Sequence, residues 1–132
     1  EFFQTLKIDT PKFCAVNNRD ELLQAAQTLG FPFVLKTTEL GYDGKGQWIL
    51  RSEKEMSTFE VQAPSIAEEF ISFDRELSII GVRTKNGEVR FYPLVQNIHR
   101  EGILIQSTAP APNSPTALAE DYLTRMMTAL SY

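Results

Sequence analysis

Leu22, Leu23, Ala25, Ala26 and Leu29 recur at helical spacing, the apolar stripe of a helix with one buried face. Asn18 stands before them and Glu21 follows it three residues later. That is a capping-box-like start, with a side-chain oxygen for a free helix N–H and a carboxylate able to reach back. Gly30 supplies the stop. Short apolar runs flank this helix. Phe13–Val16 precedes it, and Phe31–Lys36 follows, opening at a proline; both predict strands. Gln47–Leu50 predicts a third strand, Glu1–Leu6 a helix at the start, and Ser52 with Glu55 a second capped helix carrying Met56 and Phe59.

From Pro64 the texture changes. Ile66–Ile71, Arg75–Arg83, Glu88–Val95 and Ile103–Thr108 are strand-like, and Asn86-Gly87 between two of them is a hairpin turn signal. Ala109–Pro115 holds three prolines and predicts a loop. Ser114-Pro115 then predicts a helix with a serine cap and a proline in its first turn. Leu118, Tyr122, Leu123, Met126, Met127 and Leu130 form its apolar stripe. Alternating strands and helices followed by a run of antiparallel strands make the fold class α+β.

The 132 residues carry a net charge of −4, which argues against a protein that tracks nucleic-acid phosphates. No apolar stretch is long enough to span a bilayer as a helix. The single cysteine, Cys14, allows no internal disulfide and fits a reducing compartment, so a cytoplasmic location is expected. Residue 1 is Glu rather than Met, and the expectation is a piece of a longer protein.

Two stretches could carry chemistry. Lys36 ends an apolar strand, and Gly41-Tyr42-Asp43-Gly44-Lys45-Gly46 follows within five residues, leading into Gln47. Glycines let backbone N–H groups approach an anion, and Lys36 and Lys45 add positive charge. This is a candidate phosphate cradle. It is not a Walker loop or a dinucleotide fingerprint, because a strand rather than a helix follows. A hairpin loop with surface lysines fits the same spacing. Three glycines in seven residues, with Tyr42 as the one apolar anchor, also predict mobility from Gly41 to Gln47. The second stretch is Glu68-Glu69-Phe70-Ile71 with Glu76 just beyond. A strand end reading an adenine edge, with a carboxylate for ribose hydroxyls, has this form; so does a solvated edge with acids. His99 is the only histidine. With no His or Cys partner it points to neither zinc nor a nucleophilic dyad.

These residues resemble the ATP-grasp family. The resemblance is carried by Phe33-Val34-Leu35-Lys36, Gly41 through Gln47, Glu68-Glu69-Phe70-Ile71 and Arg75-Glu76-Leu77-Ser78. Tyr92-Pro93-Leu94-Val95-Gln96-Asn97-Ile98-His99, Gly102-Ile103-Leu104 and Ala109-Pro110-Ala111-Pro112 narrow it further. They point to the branch whose members carboxylate aminoimidazole ribonucleotide with ATP and bicarbonate in purine biosynthesis. The resemblance runs in order along the whole chain. Another carboxylate–amine ligase of the family, or a non-catalytic α+β binding module, is the alternative.

The resemblance implies an ATP-dependent C–N ligase as the parent, and roles residue by residue. Lys36 contacts the nucleotide phosphates, and Gly41, Tyr42, Asp43, Gly44, Lys45, Gly46 and Gln47 form the loop that closes over them. Glu68, Glu69, Phe70 and Ile71 form the hinge strand that reads adenine, Glu76 holds the ribose hydroxyls, and His99 lines the nucleotide site. None of these is a catalytic residue or a metal ligand. The implied division is a small nucleotide-binding lobe over residues 1–70 and the start of a large lobe over 71–132. The implied cofactors are ATP and Mg²⁺, with the Mg²⁺ carboxylates and the substrate-binding stretch outside this chain and the isolated segment inactive. The implied parent is a homodimer that needs neither nucleic acid nor membrane.

Overall fold

The computed structural model describes residues 1–39, 41 and 45–132. Along the chain the elements are α1 (Phe2–Thr5), β1 (Phe13–Val16), α2 (Arg19–Leu29), β2 (Phe33–Thr37), β3 (Gln47–Leu50) and α3 (Glu53–Ser57). Then come β4 (Ser65–Glu69), β5 (Glu76–Ser78), β6 (Gly81–Arg83), β7 (Val89–Phe91), β8 (Val95–Arg100), β9 (Ile103–Thr108) and α4 (Thr116–Ala129). The α+β expectation holds, with antiparallel sheets and few helices. Two compact units form: Pro11–Ser72 with Glu101–Ile103, and Glu1–Thr10 with Phe73–Arg100 and Leu104–Tyr132. Residues 1–10 thus group with the later part of the chain.

In the first unit the strand order is β1-β4-β2-β3, every neighbour antiparallel. Side chains alternate across a strand, so Phe33 and Leu35 point to one face of β2 and Val34 and Lys36 to the other. The α2 stripe covers the first face. Leu22, Ala25 and Ala26 are buried there with Val16, Phe33, Leu35, Leu50, Met56 and Ala67, and Cys14, Leu29, Phe59 and Val61 pack around them. Asn18 accepts the Glu21 N–H through Oδ1 at 3.0 Å. The Glu21 carboxylate reaches one residue further back than a capping box requires, and accepts from Asn17 N at 2.7 Å and Asn17 Nδ2 at 2.9 Å.

Those bonds, the Asn17 backbone N–H first, hold the Glu21 carboxyl below its ordinary 4.5. A lowered carboxyl pKa contributes stability that is present above the unfolded value and is lost as pH falls through the folded one. Glu21→Gln is therefore expected to lower the melting temperature at neutral pH and to flatten its fall below about pH 4.5. Melting curves across that range check this, and parallel curves for the two proteins would contradict it.

Where strands differ from expectation, proline or a change of polarity is the reason. β2 begins at Phe33, not Phe31, because Pro32 has no N–H for the ladder. β4 stops at Glu69, leaving Phe70 and Ile71 outside the sheet and exposed. Arg75–Arg83 is two strands, β5 and β6, with Ile79 and Ile80 between them. Glu88–Val95 breaks at Tyr92-Pro93-Leu94, and β8 then runs to Arg100 through the polar residues Gln96, Asn97 and His99, where the apolar pattern gives no signal. Ser114 does not cap α4. Its hydroxyl donates to Ala111 O at 3.0 Å, and Pro115 occupies the cap position without a side-chain bond.

The second unit holds a three-stranded sheet, β5-β8-β9, and the β6–β7 hairpin. The Asn86-Gly87 turn closes that hairpin as expected: Gly87 has φ +84°, and Thr84 N donates to Glu88 O at 2.9 Å. A Cβ on Gly81 would lie 2.8 Å from Leu123 Cδ2, so α4 seats directly on β6. Arg125 on α4 donates to Leu6 O at 3.2 Å and Lys7 O at 3.1 Å, which ties down the end of α1. Leu94, Ala111 and Met127 are the buried apolar residues of this unit. Among the described residues no helix is long and apolar enough to cross a membrane.

Candidate functional site

The face of the first sheet opposite α2 carries a charged pair. The register sets Val34 against Glu68 and Lys36 against Ile66, so Lys36 and Glu68 are diagonal neighbours on one face. Lys36 Nζ pairs with Glu68 Oε2. Their side chains are 39% and 24% exposed, and a pair that wet contributes little to stability, about 0–1 kcal/mol. It sets an ammonium on a face shared with half-buried Val34, Ile49 and Ile66 and with Gln47, which stands opposite Lys36 in the register.

The glycine-rich turn leaves this sheet at Thr37 and returns at Gln47. Thr37 N donates to Gly46 O at 2.8 Å, and the Thr37 hydroxyl donates to the same carbonyl at 3.4 Å. Gly46 has φ +75°, and a Cβ there would lie 2.5 Å from Thr37 Oγ1. Both features demand glycine. Gly46→Ala is expected to cost about 1–2 kcal/mol for the left-handed backbone alone, before the clash with Thr37. Urea unfolding measures it, and a loss below about 0.5 kcal/mol would mean that the turn does not need this conformation. Gly41, Lys45 and Gln47 are exposed. Tyr42, Asp43 and Gly44, and with them the expectation of mobility, lie outside the described residues.

At the end of β4, Glu69 N donates to Lys12 O at 2.9 Å and Glu69 Oε2 accepts from Lys12 N at 3.5 Å. Glu69 is thereby tied to the residue just before β1. Phe70 and Ile71 follow, 39% and 47% exposed.

The second unit carries a separate cluster. Glu76 on β5 stands opposite Asn97 on β8. Because side chains alternate, Glu76, Ser78, Asn97 and His99 share a face. His99 Nδ1 lies 2.6 Å from Glu76 Oε2; a carboxylate there can only accept, which places a proton on Nδ1. Asn97 Nδ2 donates to Ser78 Oγ at 3.0 Å, and Ser107 Oγ on β9 donates to Asn97 Oδ1 at 2.8 Å.

The structure therefore brings Lys36 together with Glu68, and Glu76 together with His99, each pair within its own unit. The sequence places Ser78, Asn97 and Ser107 in strand-like or family-resembling stretches but assigns them no role, and it does not pair Glu76 with His99. Their signal was the shared alternation of Glu76/Ser78 and Asn97/His99, which becomes readable only once β8 is known to be a strand. Among the described residues no group of three or more His, Cys, Asp or Glu converges to hold a metal. They do not fit a Mg²⁺ site. A cavity of about 360 Å³ lies elsewhere in the first unit, lined by Thr37, Trp48, Phe59 and Ser65 among others, and includes none of the sequence-predicted residues.

A family model for the ATP-grasp domain matches residues 1–132. The chain is 44% identical to N5-carboxyaminoimidazole ribonucleotide synthase of Pseudomonas aeruginosa over 133 residues, covering 98% of this chain and 37% of that protein. A solved N5-carboxyaminoimidazole ribonucleotide synthetase in complex with ADP superposes with TM-score 0.89 at 33% identity, over 98% of this chain and 36% of that one. The synthetase from Thermus thermophilus gives TM-score 0.87 at 41% identity, over 99% of this chain and 36% of that one. The chain thus spans little more than a third of the length of these relatives.

Proposed function

Since the chain belongs to the ATP-grasp domain family, we propose that it is the nucleotide-binding segment of a ligase that carboxylates aminoimidazole ribonucleotide at the expense of ATP and bicarbonate. The observation that carries this reading is the 44% identity to such a synthase over 98% of the chain. In this reading residues 1–70 belong to the small nucleotide-binding lobe and residues 71–132 open the large one.

The chemistry of the two clusters supports the roles. ATP brings several negative charges, and their binding and stabilisation during phosphoryl transfer come from fixed positive groups and backbone N–H donors. Lys36, paired with Glu68, supplies the first, and the glycine-rich turn from Gly41 to Gln47 supplies the second. Glu68, Glu69, Phe70 and Ile71 read the base, with the exposed apolar pair Phe70–Ile71 against its ring. Glu76 accepts from ribose hydroxyls, and His99 presents its second ring nitrogen to the nucleotide. Bicarbonate is phosphorylated, and the resulting carboxyphosphate, or carbon dioxide from it, is captured by the amine of aminoimidazole ribonucleotide. Bicarbonate, Mg²⁺ with its ligands outside this chain, a homodimeric parent and a cytoplasmic location belong to the same proposal.

The test is phosphate release from ATP by a polypeptide of the relatives' full length that carries this chain. Release stimulated by aminoimidazole ribonucleotide with bicarbonate is expected. Stimulation by biotin or amino acids instead would replace the substrate assignment. The 132-residue chain alone, at little more than a third of that length, is expected to show no stimulated release, and turnover by it would contradict the division of labour described.

A further inference from the structure

We propose that Asn97 is a positioning residue: its carboxamide, clamped between Ser78 on β5 and Ser107 on β9, holds Glu76 and His99 in contact. The inference rests on the nucleotide-binding reading for its purpose, but not for its geometry. Asn97 stands directly opposite Glu76 in the register and two residues before His99, so it is the cross-strand partner of one and shares a face with the other. Its amide nitrogen donates to Ser78 Oγ at 3.0 Å and its amide oxygen accepts from Ser107 Oγ at 2.8 Å. One side chain on the central strand thus links both flanking strands of β5-β8-β9.

The need for such a clamp follows from exposure. Glu76 and His99 are 41% and 36% exposed at the side chain, where water competes for each of them and a lone pair would separate readily. β5 is only three residues long, so few ladder bonds fix it against β8. Clamping Ser78, two residues from Glu76, shortens the free reach of β5 at the point where Glu76 must meet the imidazole. The Asn97–Ser78 bond and the Glu76–His99 bond run as two parallel diagonals across the same strand pair, and loosening one lets the other open. A polar row in which every amide group has a partner is also directional. Ser107 donates to Asn97 and Asn97 donates to Ser78, so the row runs one way across all three strands.

His99 is the only histidine, so its imidazole ¹⁵N resonances in the 132-residue chain report the Glu76 contact without ambiguity. Glu76→Ala gives the reference spectrum of the released ring. Asn97→Ala and Ser107→Ala are each expected to move the Nδ1 and Nε2 resonances most of the way toward that reference at a fixed neutral pH. Ser107→Thr, which keeps the hydroxyl, is expected to restore the wild-type spectrum. The Ser107→Ala change is expected to add nothing in an Asn97→Ala background, since both break one clamp. Ser107 is exposed and its side-chain bond goes to Asn97, so Ser107→Ala decides the matter even if Asn97→Ala fails to fold. Wild-type His99 resonances in folded Ser107→Ala would overturn the proposal. ATP titration of the same variants is expected to show about 3- to 10-fold weaker binding for the two alanine changes. Absence of ATP binding in every protein, wild type included, would count against the nucleotide reading alone, because the resonances decide the clamp without nucleotide.

Discussion

Phe33→Ala is expected to cost about 3–5 kcal/mol of folding stability, the range for emptying an aromatic site in a packed core. Phe33 has no exposed surface and sits between Leu50 on β3 and Glu69 on β4 in the register. Its neighbours are held by two strands and a helix, so the space it leaves cannot collapse easily, and a residual cavity adds to the lost transfer energy. Natural domains have a total stability of about 5–15 kcal/mol, so the loss is a large share of what is available. The site would feel it, because Lys36 lies three positions along the same strand and the Lys36–Glu68 pair depends on the β2–β4 register. Phe31→Ala is the control. That ring is 39% exposed and lies 5.5 Å from the Phe33 ring, and its loss is expected to cost less than half as much. Urea unfolding of the three proteins measures both, and equal losses would mean that the core is not where the burial places it.

Lys36→Ala is expected to weaken ATP binding more than Glu76→Ala does. Lys36 would meet a multiply charged phosphate chain, and hydrogen bonds to charged groups contribute roughly 1.5–3 kcal/mol each. Part of that is offset because Glu68 already pairs with Lys36, and the ammonium must be shared with the incoming anion or released to it. Glu76 would accept from neutral ribose hydroxyls on a surface 41% open to water, which puts its removal at about 1–2 kcal/mol. Calorimetric titration in the full-length polypeptide, with folding checked by circular dichroism, gives both numbers. Equal losses, or wild-type binding by Lys36→Ala, would remove the phosphate role from Lys36.

Local signals carried over from sequence to structure where one short segment decides the outcome. Asn18 caps α2 and Ser52 caps α3 by accepting the N–H three residues on. Asn86-Gly87 closes its hairpin because Gly87 takes the positive φ that the turn needs. Alternation in Phe33–Lys36 separates the core face from the charged face before any partner strand is known. The misses have the opposite character. β8 is polar along most of its length, since its bonds go to β5 and β9 and its face to other polar groups, so hydrophobic periodicity carries no trace of it. The Lys36–Glu68 and Glu76–His99 pairs join residues 32 and 23 positions apart, and each depends on which strand lies beside which. The order β1-β4-β2-β3 places the last strand of its sheet next to the first, and no pattern within one strand encodes that. Ser114 does not act as a cap because the helix begins one residue later than the serine signal implies: Pro115 holds the cap position and has no side-chain acceptor.

In the proposed reading the nucleotide meets this chain at Lys36–Gln47 and at Glu68–Glu76 with His99. Hydrogen–deuterium exchange of the full-length polypeptide, with and without saturating ATP, tests it most directly, because protection is read segment by segment along the backbone. ATP is expected to slow exchange in peptides spanning residues 36–47, 68–76 and 95–100. No change is expected in α2, which faces the core on the other side of the first sheet. Saturable ATP binding with those peptides unchanged, and protection confined to other parts of the polypeptide or to the cavity around Trp48 and Phe59, would contradict it.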